Sequence, residues 1–173
     1  MDRPVATTIR ACTPADVDAI SDVINDGASA YRGVIPDDRW HEPYMGREEL
    51  EREIAAGVVF SCAADDDGTV QGVMGLQDVK DVTLIRHAYT RTAAQGRGIG
   101  AALLRHLVGQ ASRPVLIGTW RAATWAIRFY QRHGFEVVDG PEKDRLLRTY
   151  WSIPQRQIDE SVVLRQSVRS QQP

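Results

Sequence analysis

The chain has 173 residues, of which 43% are hydrophobic and 25% are charged, and its formal net charge at pH 7 is −2. That length suits one domain with its own core, and the near-neutral balance gives no case for nucleic-acid binding. We find no signal-peptide pattern and no apolar run of bilayer-spanning length, and two cysteines, Cys12 and Cys62, are too few for a disulfide framework. We therefore expect a reduced, cytoplasmic protein of one domain, with no membrane or nucleic-acid partner and no metal site.

The N-terminal half of the chain predicts alternating strands and helices and then a hairpin. Thr13 and Pro14 are typical of an N-cap and a first helical position, and Gly57 is typical of a helix C-terminus. The turn sequence DDDG lies between two apolar runs and indicates a β-hairpin. The predicted elements are a strand at 7–12, a helix at 13–31, a loop at 32–45, a helix at 46–57 and strands at 58–65 and 69–79.

The C-terminal half predicts the same alternation. Ile99, Leu103 and Leu107 recur at helical spacing and form one apolar face. Residues 167–173 are polar and are expected to be a frayed tail. The predicted elements are strands at 82–90, 114–120, 135–138 and 160–166, and helices after residue 98 and at 122–134. The fold class that follows is a mixed α/β domain over residues 1–166, built around one sheet.

Three glycines, Gly96, Gly98 and Gly100, precede the first helix of this half in the segment TAAQGRGIGAALLRHL. A Walker loop is excluded because it needs a lysine directly after its last glycine, and the lysines of this chain are Lys80 and Lys143. A dinucleotide site is disfavoured because the next strand and helix contain no acidic residue to hold a ribose. Glycines at a strand-to-helix turn still permit close approach to backbone N–H groups, which favour an anion. The turn therefore predicts an anionic ligand of another kind.

The glycine turn lies within a long stretch that has no acidic residue. Between Val82 and Phe135 there is no Asp or Glu, so this stretch is formally basic while the rest of the chain is acidic. The cationic side chains in it are Arg86, Arg91, Arg97, Arg105, Arg113, Arg121, Arg128 and Arg132. This asymmetry favours a site for a small polyanionic molecule near the glycine turn.

Two segments of this basic stretch match sequence signatures. QGRGIGAALL fits Q/R-x-x-G-x-G/A, with Gln95, Gly98 and Gly100 in the signature positions. Some 30 residues further on, ATWAIRFYQRHGF resembles A-x-x-[FL]-Y-x-[KR]-x-G-F. The matching positions of this second element are Ala126, Phe129, Tyr130, Arg132, Gly134 and Phe135. Together, in this order, they resemble the GNAT superfamily of N-acetyltransferases. The likeness is tight over 82–137 and elsewhere extends only to the order of elements.

The resemblance implies a central, mostly antiparallel, twisted sheet of about six to seven strands, flanked by about four helices and splayed between the fourth and fifth strands. It implies acetyl-CoA as cofactor, with its pyrophosphate on the backbone N–H groups of 96–101, its pantetheine arm along the main chain of Ala88 and Thr90, and its phosphates facing Arg97 and Arg132. The implied cofactor-binding residues are Ala88, Thr90, Gln95, Gly96, Arg97, Gly98, Ile99, Gly100, Ala101, Ala126, Phe129 and Arg132.

The resemblance also implies a catalytic role for Tyr130. Its phenol would protonate the departing CoA thiolate as a general acid, while a strand N–H near Ala88 would meet the developing oxyanion. Many relatives have Asn three residues before the Ala of the second element. Here that position is Ala123, so Thr124 is the alternative partner for the pantetheine.

No residue is an evident general base. Relatives that have a base on the fourth strand place Glu or His at positions matching Leu84 or Arg86, and neither of these accepts a proton at neutral pH. Strand alternation turns His87 to the other side, so we interpret it as a structural histidine. The alternatives are an acceptor amine of low pKa, or a water relay to Asp78, Asp81 or Glu42.

The acceptor would approach from the side of the first helices, where aromatic residues are frequent. The predicted substrate-binding residues are Tyr31, Trp40, Tyr44, Arg86 and Trp120, with His41 nearby. The leading hypothesis is an acetyl-CoA-dependent N-acetyltransferase of a small-molecule amine. A non-catalytic acyl-CoA sensor and a protein N-terminal or lysine acetyltransferase remain as alternatives. The C-terminal segment resembles that of small GNAT enzymes in which the last strands shape the acceptor site or a homodimer.

Overall fold

The protein forms one twisted sheet of seven strands in a computed structural model that describes residues 7–167. The strand order is β1-β2-β3-β4-β5-β7-β6, and every neighbouring pair is antiparallel except β4 and β5. The strands are β1 Thr8–Ala11, β2 Val59–Ala64, β3 Val70–Val79, β4 Val82–Thr90, β5 Val115–Trp120, β6 Phe135–Val138 and β7 Ser161–Gln166. The predicted fold class and strand number are confirmed. Of the predicted tail, all but Ser167 lies outside the described residues.

Six α-helices accompany the sheet within residues 7–167, two more than the sequence predicts. They are α1 Val17–Gly27, α2 Arg47–Ala55, α3 Ile99–Gln110, α4 Thr124–Arg132, α5 Gly140–Tyr150 and α6 Gln155–Asp159. The additional pair, α5 and α6, fills a stretch to which the sequence assigned no element. Asp139 caps α5 by accepting a hydrogen bond from the Gly140 N–H. None of these helices is both long and apolar enough to cross a bilayer.

The core lies on both faces of the sheet. On one face the apolar stripe of α3, with Leu103, Leu104 and Leu107 fully buried, packs on β2, β3 and β4. On the other face α1 packs on β3 and β4, and its Ile20 and Ile24 form one buried cluster with Leu50 of α2 and with residues of β2 and β3. The stripe that the sequence predicts for α3 is therefore the buried face.

The strands β4 and β5 pair over a short length and then separate. Their parallel pairing is confined to Thr83–Ile85 against Val115–Ile117. Beyond it β4 continues to Thr90 without a partner on that side, whereas β5 continues to Trp120 along β7. The predicted splay is confirmed, and it opens the sheet where the site residues lie.

A β-bulge interrupts β4 at the same place. Val73 opposes Tyr89, whereas Gly75, two residues on, opposes Arg86, so β4 has one residue too many for regular pairing. His87 lies in the bulge with a left-handed φ of 55°. The bulge breaks the alternation of side chains, and both Arg86 and His87 contact Glu53 of α2. The expectation that His87 faces away from Arg86 is therefore wrong.

Candidate active site

A cleft of about 400 Å³ opens beside the unpaired end of β4, between that strand and helices α3 and α4. Its lining is mostly apolar, and Gln95 and Gly100, on either side of the glycine turn, contribute to it. Six of the predicted cofactor-binding residues line it: Ala88, Thr90, Gln95, Gly100, Ala126 and Phe129. We call this the donor cleft. Since β4 has no strand partner here, its main chain is available to an extended ligand.

The glycine turn provides the backbone that an anion requires. Gly96 and Gly98 have φ values of 80° and 78°, and a Cβ on either would meet open space. The N–H groups of Ile99, Gly100 and Ala101, the first turn of α3, have no hydrogen-bond partner within residues 7–167. Free N–H groups at a helix N-terminus attract phosphate. The turn thus fits the pyrophosphate of acetyl-CoA.

The arginines of the basic stretch divide into two groups. Arg86, Arg91, Arg113 and Arg121 are held by acidic side chains or carbonyl oxygens. The others have exposed side chains with no hydrogen bond or ion pair among the described residues; they are Arg97, Arg105, Arg128 and Arg132. Arg97 lies in the glycine turn and Arg132 ends α4, so both predicted phosphate contacts remain available.

Tyr130 is almost completely buried on α4, with 6% of its surface exposed. Its hydroxyl makes no hydrogen bond to any residue in the range 7–167. Burial, together with the nearby Tyr31, raises the pKa of this phenol, so it keeps its proton at neutral pH. Ala123, at the departure from the family pattern, is fully buried, while Thr124 is exposed at the start of α4.

A second, narrower cleft of about 160 Å³ opens on the other side of the splay, between β4 and β5. We call it the acceptor cleft. Four of the five predicted substrate-binding residues, Tyr31, Tyr44, Arg86 and Trp120, line it. The Trp120 indole donates to the Tyr44 hydroxyl at 3.2 Å. Trp40 and His41 stack on Tyr44 but line neither cleft.

The two clefts meet at a common wall. Five residues line both of them: Tyr31, Ala88, Tyr89, Ala126 and Tyr130. Tyr89 and Trp151, which lines the acceptor cleft from the end of α5, were missed by the sequence analysis. A tyrosine in a strand and a tryptophan at a helix end have no local pattern that indicates a site. Tyr130 therefore lies where a donor and an acceptor would come together.

The carboxylates suggested for a water relay lie away from this wall. Asp78 accepts a hydrogen bond from Thr83, Asp81 accepts one from Tyr150, and Glu42 pairs with Arg32. None of the three lines either cleft.

A family model described as the acetyltransferase (GNAT) domain matches residues 19–148. The chain belongs to the GNAT acetyltransferase family. Enzymes of this family use acetyl-CoA, so the predicted enzyme class and cofactor are confirmed. The match spans the glycine turn, the donor cleft and Tyr130, and it covers the acceptor cleft except for lining residues after position 148.

Solved structures agree with this assignment at the level of the fold. The PaiA N-acetyltransferase of Thermoplasma acidophilum, in complex with coenzyme A, has 18% identity and a TM-score of 0.70 over 94% of this chain and 99% of its own. A GCN5-related N-acetyltransferase of Kribbella flavida has 22% identity and a TM-score of 0.66, covering 94% and 98%. YncA of Salmonella typhimurium, with acetyl-CoA, has 24% identity and a TM-score of 0.60, covering 78% and 82%. No curated protein sequence matches the chain significantly.

Proposed function

We propose that this GNAT enzyme transfers the acetyl group of acetyl-CoA to a primary amine of a small molecule, by direct attack, with Tyr130 as general acid. The observation that supports this most is the position of Tyr130 in the wall shared by the donor and acceptor clefts. A buried phenol with a raised pKa holds a proton at neutral pH, and the Tyr130 hydroxyl has no hydrogen-bond partner in the part of the chain that the structure describes.

In this proposal each group of residues acts on a different part of acetyl-CoA. Acetyl-CoA supplies a thioester whose carbonyl carbon is attacked and whose sulfur departs. The glycine turn and the exposed Arg97 and Arg132 hold its phosphates at the mouth of the donor cleft. The main chain of Ala88 and Thr90 aligns its arm, and an N–H near Ala88 stabilises the oxyanion. Tyr130 then protonates the departing thiolate.

A small acceptor fits the narrow, aromatic-walled acceptor cleft better than a protein chain does. Tyr31, Tyr44, Trp120 and Trp151 enclose it, and such rings pack well on the apolar part of an amine and attract its cationic group. Two further hypotheses from the sequence accompany this one: a cytoplasmic location and a homodimer.

Thiol release from acetyl-CoA across a panel of amines tests the function. The panel includes 2-phenylethylamine, aniline, putrescine, ethanolamine and a peptide with a free N-terminus. We expect a small amine to accelerate release, and Tyr130→Phe to lower kcat by about 100-fold or more while CoA affinity, measured by calorimetry, stays within threefold.

Tyr150→Phe is the matched control for this experiment. The Tyr150 hydroxyl donates to Asp81 and lies outside both clefts, so we expect kcat to be unchanged. Tight CoA binding with no active amine would instead favour the acyl-CoA sensor. Selective activity on the peptide would favour the protein acetyltransferase.

A further inference from the structure

His87 has an unusual backbone conformation for its position. Lys80 and His87 are the two non-glycine residues with positive φ within residues 7–167. Lys80 belongs to the tight turn between β3 and β4, where positive φ is ordinary. His87 lies within β4, at the bulge. Strained conformations of this kind persist where the surroundings hold them and occur frequently at functional sites.

Glu53 of α2 holds the His87 ring. The His87 Nε2 lies 2.6 Å from Glu53 Oε2, and an Arg86 nitrogen lies 3.2 Å from Glu53 Oε1. Burial raises the pKa of the Glu53 carboxyl, but the hydrogen bond and charge of His87 and the charge of Arg86 outweigh burial, and the net pKa is lowered. Glu53 is therefore ionised and acts only as an acceptor.

An ionised Glu53 determines which imidazole nitrogen is free. The carboxylate accepts the proton on Nε2, so the neutral ring has its lone pair on Nδ1. Nδ1 has no hydrogen-bond partner in the described part of the chain. The ring stacks on Phe60, which fixes its plane. Glu53 and Phe60 thus hold the His87 ring in one orientation.

His87 lines the acceptor cleft together with Tyr130. The other titratable side chains that line this cleft are Tyr31, Tyr44, Arg86, Tyr89 and Tyr130. All of these are protonated at neutral pH, so none of them accepts a proton there. We propose, on the basis of the acetyl transfer proposed above, that His87 is the general base for the acceptor amine and that Glu53 is its positioning residue.

The bonds and protons of the proposed reaction balance. His87 Nδ1 removes one proton from the substrate ammonium and releases it to solvent. The neutral amine forms the C–N bond, the C–S bond breaks, and Tyr130 gives its proton to the departing sulfur. The remaining extra proton on the attacking nitrogen returns to Tyr130 through water. The net products are the amide, CoA thiol and one proton.

His87→Asn tests the base, because asparagine tolerates the left-handed φ but cannot accept the proton. With an alkylamine that the enzyme uses as a substrate, such as 2-phenylethylamine, we expect kcat/KM at pH 7 to fall by about 100-fold. We also expect the fall of kcat/KM at acidic pH, the acidic limb of its pH profile, to disappear. With aniline, which is already neutral at pH 7, the fall should be less than about threefold. The matched control is His106→Asn. His106 lies on α3 and forms a hydrogen bond only with Gln110 among residues 7–167, so its replacement should change kcat/KM with neither amine.

Two measurements separate this proposal from the proposed function. In Glu53→Gln, we expect the acidic limb to move to lower pH, because the carboxylate that favours the protonated imidazole is gone. Nitrogen-15 NMR of the wild-type protein should show His87 with its proton on Nε2. An Nδ1–H tautomer would overturn the role of His87 as general base and leave the acetyl transfer in place. The same holds if His87→Asn still transfers acetyl and its pH profile keeps the acidic limb unchanged. If no amine accelerates release, the transfer itself is overturned, and the base with it.

Discussion

Single backbone angles determine much of what this site can bind. Gly98 has a φ of 78° and precedes the free N–H groups of α3. A side chain there is strained and also projects into the space that a phosphate would occupy. Conformation and binding can be separated, because Gly68 in the β2–β3 hairpin has a similar φ of 84° and equally open surroundings.

We expect Gly98→Ala and Gly68→Ala to lower the free energy of unfolding by similar amounts, about 1 kcal/mol each. Only Gly98→Ala should weaken CoA binding, by about tenfold or more, because only that methyl group lies beside the anion site. Urea denaturation and calorimetry with CoA measure the two effects. Equal CoA affinities for the two variants would show that the glycine turn is not the phosphate site.

At this scale, the sequence predicted Tyr130 and the glycines because their signatures are local, with fixed spacing along the chain. It failed at His87 because the bulge depends on the pairing of β4 with β3, which lies in no short segment. Glu53 was missed for the same reason. It is separated from His87 by 34 positions, and only the packing of α2 on the sheet brings the two together.

At the scale of elements, the connection between α1 and α2 forms one wall of the site. It contributes Tyr31 and Tyr44, which meet Tyr89 and Tyr130 where the two clefts join. Burial raises the pKa of each of these phenols, that of Tyr31 to about 12. Each of these hydroxyls therefore stays neutral in the folded protein at a higher pH than a tyrosine in the unfolded chain does.

This clustering predicts alkaline instability. In the unfolded chain tyrosine ionises near pH 10, whereas the folded chain keeps these protons, so stability is complete below about pH 10 and falls as the pH rises further. Tyr31 alone would account for a loss of about 2 kcal/mol by pH 12. Urea denaturation at pH 8, 10 and 11 measures the fall, which should be smaller in Tyr31→Phe. An identical pH dependence in that variant would contradict the prediction.

The elements that the sequence predicted were those with strong local signals: the β2–β3 hairpin, the apolar stripe of α3 and the capped start near Thr13. The helices α5 and α6 were not assigned. Their segment has no long apolar periodicity, and Pro154 separates them. The burial of Leu146 and Leu147 against β7 and β5 stabilises α5, and this tertiary contribution is invisible in the segment itself.

At the scale of the whole molecule, only part of the basic stretch is available to a polyanionic ligand. Of the eight arginines between Val82 and Phe135, Arg86 and Arg121 pair with carboxylates, and two others donate to backbone carbonyl oxygens. The four without a partner among the described residues lie on or beside α3 and α4, the helices that border the donor cleft. The unpaired positive charge of this stretch is therefore on the elements next to that cleft, as a polyanionic ligand requires.

The wall shared by the two clefts also bears on the order of events in the proposed catalytic cycle. A donor in one cleft and an acceptor in the other would meet at this wall, so neither would have to leave before the other arrives. The cysteines, Cys12 and Cys62, line neither cleft, so no thiol is available there to hold an acyl group between two half-reactions. We expect intersecting lines in double-reciprocal plots at varied concentrations of both substrates, and no exchange of label between acetyl-CoA and CoA without amine. Parallel lines would mean that the acetyl group rests on the protein.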